Sequence, residues 1–402
     1  AAQALINALP EEVTAENADE LQAQLIAIDK AMEALDEEQR AKLNMTRLEN
    51  IQAALNGAVA VQATTHTDHI GEGETMTEWS DKNKLPDAPG NYYLSNYVTL
   101  TKTWEPANDT VLCLNGYSIT MNANTDEVIK INDGVTFTLC SCKRGGVSHG
   151  TGYTGRGVTV NGGKFIMSGG FISNNNTTQN GGGVYVDGGG TFEMTGGNEE
   201  IDGLYVGSLI QGNKANYNGG GVYVNNGTFT MTGNSTVNSN KAGEKGGGVY
   251  VNSVRGTFNM TGGSIRFNTA DYGYGGGVYM NNGTFNMTGG EVYYNSARYN
   301  GGGVYVSSDA VVTVAGNVKI NEENKDTNKE SNNVYLDTSD GTSATITVTG
   351  KLGDDAKIGV TTKSKPTEEN PVTFATAGAG YTLTAGDADH FSSDANYYPL
   401  LM

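Results

Sequence analysis

Few residues of this chain are typed and spaced for chemistry: four histidines, three cysteines and several acid pairs. His66 and His69 stand as two zinc ligands could, but a zinc site takes three or four ligands and none follows, so exposed loop histidines are the preferred reading. His149 and His390 accompany no nucleophile or orienting acid in a motif for acyl transfer. Asp337/Asp340, Asp354/Asp355 and Asp387/Asp389 each offer oxygens for calcium without a complete ligand spacing, and Asp also serves ordinary turns. Glu199, Glu200 and Asp202 cluster without a partner base, which reads as solvated charge. The sequence thus assigns no catalytic residue, metal or cofactor.

Cys113 and Cys140 lie 27 residues apart, the period of a repeat further along the chain. Stacked strands would set their α-carbons about 4.8 Å apart, within disulfide range. A Cys113–Cys140 disulfide and a stack of buried thiols both stay open, with Cys142 left over.

The elements that must position these residues come in three segments. Over residues 1–57, Leu21, Leu25, Ile28, Met32 and Leu35 recur at helical steps, and Leu48, Ile51 and Leu55 repeat the pattern before Asn56-Gly57. Asp36 with Gln39 resembles a capping box. This predicts a small three-helix module. Residues 58–90 lose that periodicity and read as a linker and N-terminal cap. From residue 91 to 402 short strand-like runs alternate with Asn, Asp and Gly turns.

Within that last segment a repeat is explicit. Gly-Gly-Gly-Val-Tyr begins at Gly181, Gly219, Gly246, Gly275 and Gly301, and Thr-Phe-x-Met-Thr-Gly at Thr191, Thr228, Thr257 and Thr284. An apolar-x-x-Asn element places Asn175, Asn213, Asn240, Asn268, Asn295 and Asn321 at steps of 38, 27, 28, 27 and 26. The long step holds an insertion near residues 198–208, which should bulge from one coil. Such a period announces a solenoid. Three short strands per period predict an all-β solenoid: a single-stranded parallel β-helix with three sheets, right-handed because sterics favour right-handed parallel crossovers. Roughly 10–11 coils from Tyr97 onward should rise about 50 Å at about 4.8 Å per coil, with irregular coils and a cap at the C-terminal end.

Alternation along Thr-Phe-x-Met sends Phe and Met inward; the same rule sends Val184 and Val186 inward and Tyr185 outward. Stacked coils then align Tyr185, Tyr223, Tyr250, Tyr279, Tyr305 and Tyr335. This file reads first as ring stacking that stabilises the coils, and second as an aromatic strip for a flat ligand, with the triple Gly leaving room beside it. The Asn file reads as an internal amide ladder.

These repeats resemble the pectin lyase-like β-helix repeat proteins of Gram-positive gut bacterial surfaces. Leu112-Cys113-Leu114-Asn115-Gly116-Tyr117-Ser118-Ile119 and Leu85-Pro86 through Leu94 are similar to their opening coils, and residues 1–56 to the helical modules of the same proteins. The resemblance implies an extracellular location, on a bacterial surface or secreted, and a monomeric rod within a larger wall-associated protein, acting as an adhesin that binds glycan or a host surface protein. A passive spacer presenting other domains is the alternative. A polysaccharide lyase or glycoside hydrolase ranks third, because the acids and bases those reactions need are not recognisable. The chain starts in helix-like sequence without a signal peptide, so a fragment or processed form is expected.

Charge limits the partners. A net charge of −19, from 25 Lys and Arg against 44 Asp and Glu, repels nucleic acid backbones. No apolar run reaches the 18 or so residues of a membrane span, so no transmembrane segment is expected.

Overall fold

The computed structural model describes residues 2–9, 75–196, 200–201, 204–205, 207–320, 333–339, 342–363, 367, 369 and 371–393. The chain divides into two compact units, Ala1–Thr65 and His66–Met402. In the first, the helix Ala2–Ala8 is described, and Ile6 and Leu9 are buried. The other helices expected over residues 10–57 lie outside the described residues, as do His66, His69, Asn321, Asp340 and much of the expected linker.

The second unit is a parallel β-helix solenoid. Its strands join three long parallel ladders. The Phe ladder runs from Thr77–Trp79 and Gly90–Leu94 through Thr110–Cys113, Thr136–Cys140, Lys164–Met167, Gly190–Thr195, Gly227–Thr232, Thr257–Met260, Thr284–Tyr293, Val311–Ile320 and Ile346–Leu352 to Ala375–Ala377. From Thr110 onward this gives ten coils among the described residues, within the expected range. A Tyr ladder pairs Val184 with Val222, Val249, Val278, Val304 and Val334 in turn. An Ile ladder aligns Ile172, Ile210, Val237, Ile265 and Val292.

Among the described residues the three ladders are hydrogen-bonded as one 29-stranded sheet rather than three separate ones. Thr284–Tyr293 and Val311–Ile320 run unbroken round the corner between the Phe and Ile ladders, with a register shift there. Lys357–Thr362 joins the Ile and Tyr ladders in the same way. A fourth, five-stranded ladder was not legible beforehand: Asn176–Thr177, Lys214–Ala215, Lys241–Ala242, Thr269–Ala270 and Ser296–Ala297. Two-residue strands carry no alternation to read. The insertion forms an antiparallel hairpin, Glu200–Ile201 with Leu204–Tyr205.

Alternation fills the interior as the pattern demands. Phe137, Phe165, Phe192, Phe229, Phe258 and Phe285 are fully buried, their rings stacked at 4.6–5.7 Å between centroids and tilted by only 4–10°. Trp104 closes this stack edge-on against Phe137 at 5.2 Å. Burying each ring contributes about 1.5–3 kcal/mol, and stacking about 0.5–1.5 kcal/mol more per pair. The C-terminal coils continue the ladders through Phe391–Ser393. There Asp387 closes a capping box on the short helix Ala385–Ala388 and accepts the Tyr381 hydroxyl at 2.9 Å. No helix among the described residues is long and apolar enough to cross a membrane.

Candidate functional site: two aromatic files on the coils

The Asn residues sit where each coil turns from the Ile ladder to the short fourth ladder. Asn175, Asn213, Asn240, Asn268 and Asn295 are at most 1% exposed. Each Nδ2 donates to the Oδ1 of the next coil's Asn at 3.0 Å, from Asn175 to Asn213, Asn240, Asn268 and Asn295. That Oδ1 also accepts the preceding Asn backbone N–H, at 2.9–3.1 Å. Each Nδ2 has a second partner as well, such as Asn268 Nδ2 to the Val237 carbonyl at 3.0 Å. The amide is therefore satisfied on both ends, the condition for burying it. His149 stands where the ladder begins: its Nδ1 lies 3.0 Å from Asn175 Oδ1 and its Nε2 3.3 Å from Thr125 Oγ1. Burial holds the imidazole below its ordinary pKa, against a smaller upward pull from Asn175.

The six repeat tyrosines do line up, on the outer face of the Tyr ladder. Consecutive rings from Tyr185 to Tyr335 stack at 4.8–5.3 Å between centroids. Tyr223, Tyr250, Tyr279, Tyr305 and Tyr335 are only 5–8% exposed, and they form a cluster separate from the core, with Tyr185 and Tyr274 packed against it. The Arg156 guanidinium lies over the Tyr185 ring at 4.6 Å. Outward from the sheet is thus not exposed: the ring faces that a flat ligand would need are occupied by one another. Burial is the largest cause raising the hydroxyl pKa values of Tyr185, Tyr223, Tyr250, Tyr279 and Tyr305, with Tyr223 and Tyr279 pushed up to about 12.

The triple Gly leaves no open space beside the file. Gly246 turns at φ +65°, where a Cβ would meet the Val249 carbonyl oxygen at 2.5 Å. A Cβ on Gly247 would lie 2.5 Å from the Gly276 carbonyl oxygen, because Gly backbones of successive coils bond directly. Glycine here admits close backbone approach.

A second aromatic file was missed by the sequence reading. The residue before each ladder Asn takes the left-handed conformation: Asn174, Gly212, Ser239, Phe267 and Tyr294 have φ of 55°, 64°, 52°, 55° and 53°. Asn and Gly suit that geometry, whereas a bulky Phe or Tyr costs about 1–2 kcal/mol there. Yet Phe267 and Tyr294 are 42% and 37% exposed. Their rings stack at 5.3 Å, with Tyr293 edge-on to Tyr294 at 5.2 Å. Arg266 donates from Nη1 to the Tyr293 hydroxyl at 3.1 Å and lies 6.0 Å from the Phe267 centroid. Five residues on from each, across the short fourth ladder, come the exposed Tyr272 and Tyr299. The available signal was the departure from Asn, Gly and Ser at one fixed repeat position.

The remaining candidates are placed elsewhere. Cys113 and Cys140 are register partners on the Phe ladder, as their spacing predicts, and with Cys142 they are buried thiols. Asp337 accepts the Tyr305 hydroxyl at 2.8 Å and pairs with Lys363 at 3.0 Å. Glu127 is buried and accepts Thr159 Oγ1 at 2.9 Å, and burial raises its pKa. Among the described residues no three His, Cys, Asp or Glu side chains converge as a metal site. No family model, curated protein or solved structure matches the chain.

Proposed function

We propose that the chain is a right-handed β-helical rod of a bacterial cell-surface or secreted protein, and that it binds glycan or a host surface through the Phe267–Tyr294 patch. One observation carries this reading: two large aromatics occupy left-handed backbone at the tips of adjacent turns, where their rings are exposed. Such strain persists because the turn over-determines the backbone, and it clusters at ligand-binding sites. A pair of exposed rings beside an Arg and a Tyr hydroxyl suits a sugar, whose C–H face packs on aromatics while its hydroxyls bond to the rim. We assign no catalytic residue.

The test is Phe267→Asn with Tyr294→Asn, which restores the residue type that coil 174–175 uses. Loss of binding on an all-glycan array and to host-cell surfaces, with an unchanged or raised melting transition, supports the reading. Retained binding by the folded variant moves the site elsewhere. A passive spacer is the second reading, favoured by the internal engagement of both the Asn ladder and the Tyr file. It is supported if the unaltered chain binds neither array nor cells.

A further inference from the structure

The thiol cluster on the N-terminal coils takes no part in that binding surface. Cys113 and Cys140 are wholly buried and Cys142 is 3% exposed. They pack with Met76, Tyr93 and Val111 in a cluster distinct from the solenoid core. Register decides which two can join. Partners on parallel strands have parallel Cα–Cβ bonds, so the Cys113 and Cys140 β-carbons are held about one strand spacing apart, about 4.8 Å. A disulfide needs roughly 3.5–4.5 Å between β-carbons. Cys142 escapes this constraint because its strand ends at Cys140, and the chain bends from Cys142 to Arg144. The Cys142 Sγ comes back to 3.2 Å from the Cys113 Sγ.

We infer that Cys113 and Cys142, rather than Cys113 and Cys140, form a disulfide between successive coils, leaving Cys140 as the remaining thiol. The oxidant is a low-molecular-weight disulfide such as oxidised glutathione. One cysteine thiolate attacks a sulfur of the oxidant and expels a glutathione thiolate. The second cysteine then attacks the protein sulfur of this mixed disulfide and expels the other. Two electrons pass from the protein sulfurs to the oxidant, and the two thiol protons end on the two glutathione molecules. Only Cys142 of the three has any exposure, so the oxidant is expected to engage it first; the Cys140 hydrogen bond and burial push Cys113 up to about 12, against a downward pull from the Cys142 hydrogen bond.

The experiment treats the folded chain with oxidised glutathione, alkylates the residual thiols after denaturation and maps the peptides without reduction. The inference expects a loss of two hydrogens, one alkylated cysteine at Cys140, and fragment ions between Cys140 and Cys142 that place the link on Cys142. Cys140→Ser should still cross-link and Cys142→Ser should not. The oxidised chain should melt a few degrees higher, a shift that reductant reverses. Fragment ions placing the link on Cys140, or three alkylated cysteines after oxidation, would overturn it. The wild-type map decides the pairing even where a variant fails to fold.

Discussion

Two aromatic files climb the same coils with the same spacing, and they end in opposite environments. Tyr250 and Tyr279 follow a Gly turn on the Tyr ladder, stack face to face at 5.2 Å, and are 5% exposed. Phe267 and Tyr294 stack at nearly the same distance, 5.3 Å, but at turn tips and in left-handed backbone. The first file lowers the energy of the fold, while the second raises it locally and presents its rings to solvent. Stacking alone therefore does not mark a binding surface on a solenoid. What distinguishes the two is whether the backbone position favours the residue.

The ladder beside the second file sets the scale for testing this contrast. Asn268→Ala should destabilise most, by about 5 kcal/mol in denaturant unfolding. It orphans the Asn240 backbone N–H, leaves Asn240 Nδ2 only its bond to the Ile210 carbonyl and removes the Asn268 donor from the Val237 carbonyl, all buried, at about 1–3 kcal/mol each. A loss below about 1 kcal/mol would mean the amides are replaceable by water. Tyr250→Ser should cost about 3 kcal/mol through lost burial and two lost stacks. Should Tyr250→Ser with Tyr279→Ser keep its melting transition and lose binding instead, the contrast between the files collapses.

Alkali probes the same file without mutation. Tyr223 and Tyr279 have folded pKa values raised to about 12, above the unfolded value of about 10. Between these values the unfolded chain has released protons that the folded chain retains, so stability is full below pH 10 and declines as pH rises towards 12. Circular dichroism across that window should show the loss, and Tyr223→Phe with Tyr279→Phe should shift it to higher pH.

His149 gives a smaller effect of opposite direction. Its folded pKa is lowered, so as pH falls through about 6.5 the unfolded chain takes up a proton before the folded one does. This contribution is full above pH 6.5 and is lost on acidification. Glu127, whose folded pKa is raised, works the other way at lower pH. The slope of melting temperature between pH 7 and 5.5 should therefore flatten in His149→Asn, and an unchanged slope would assign it to other groups. Smallest of all, Phe267→Asn alone should alter stability by less than about 1 kcal/mol, with any change in the stabilising direction. A large destabilisation would make Phe267 scaffold like Tyr250.

Much of this was legible because a solenoid repeats its environment with its sequence. The period, the inward Phe192, Met194 and Val184, and the register of Cys113 with Cys140 follow from alternation and from one coil stacking on the next. Asn175 to Asn295 were legible as a file because a turn recurs with them. The fourth ladder was not, since Lys241–Ala242 and its neighbours are two residues long.

What the sequence determined by itself is therefore the coil: its period, its inward side chains and which residues meet between coils. Tertiary structure alone decided which outward residues are covered. Alternation says that Tyr250 points away from the core. Only the closeness of the flanking rings and of the Gly turn makes it buried. Equally, Phe267 and Tyr294 do not themselves disclose a positive φ, which only the Asn, Gly and Ser at the same position of other coils signal; the exposure of their rings was decided by the tertiary structure. The same holds for sulfur: spacing brings Cys140 beside Cys113, but parallel β-carbons keep their distance, and the bend after the strand brings the Cys142 sulfur to 3.2 Å from that of Cys113. Periodicity fixes neighbours along a ladder; packing and backbone direction fix what those neighbours can do.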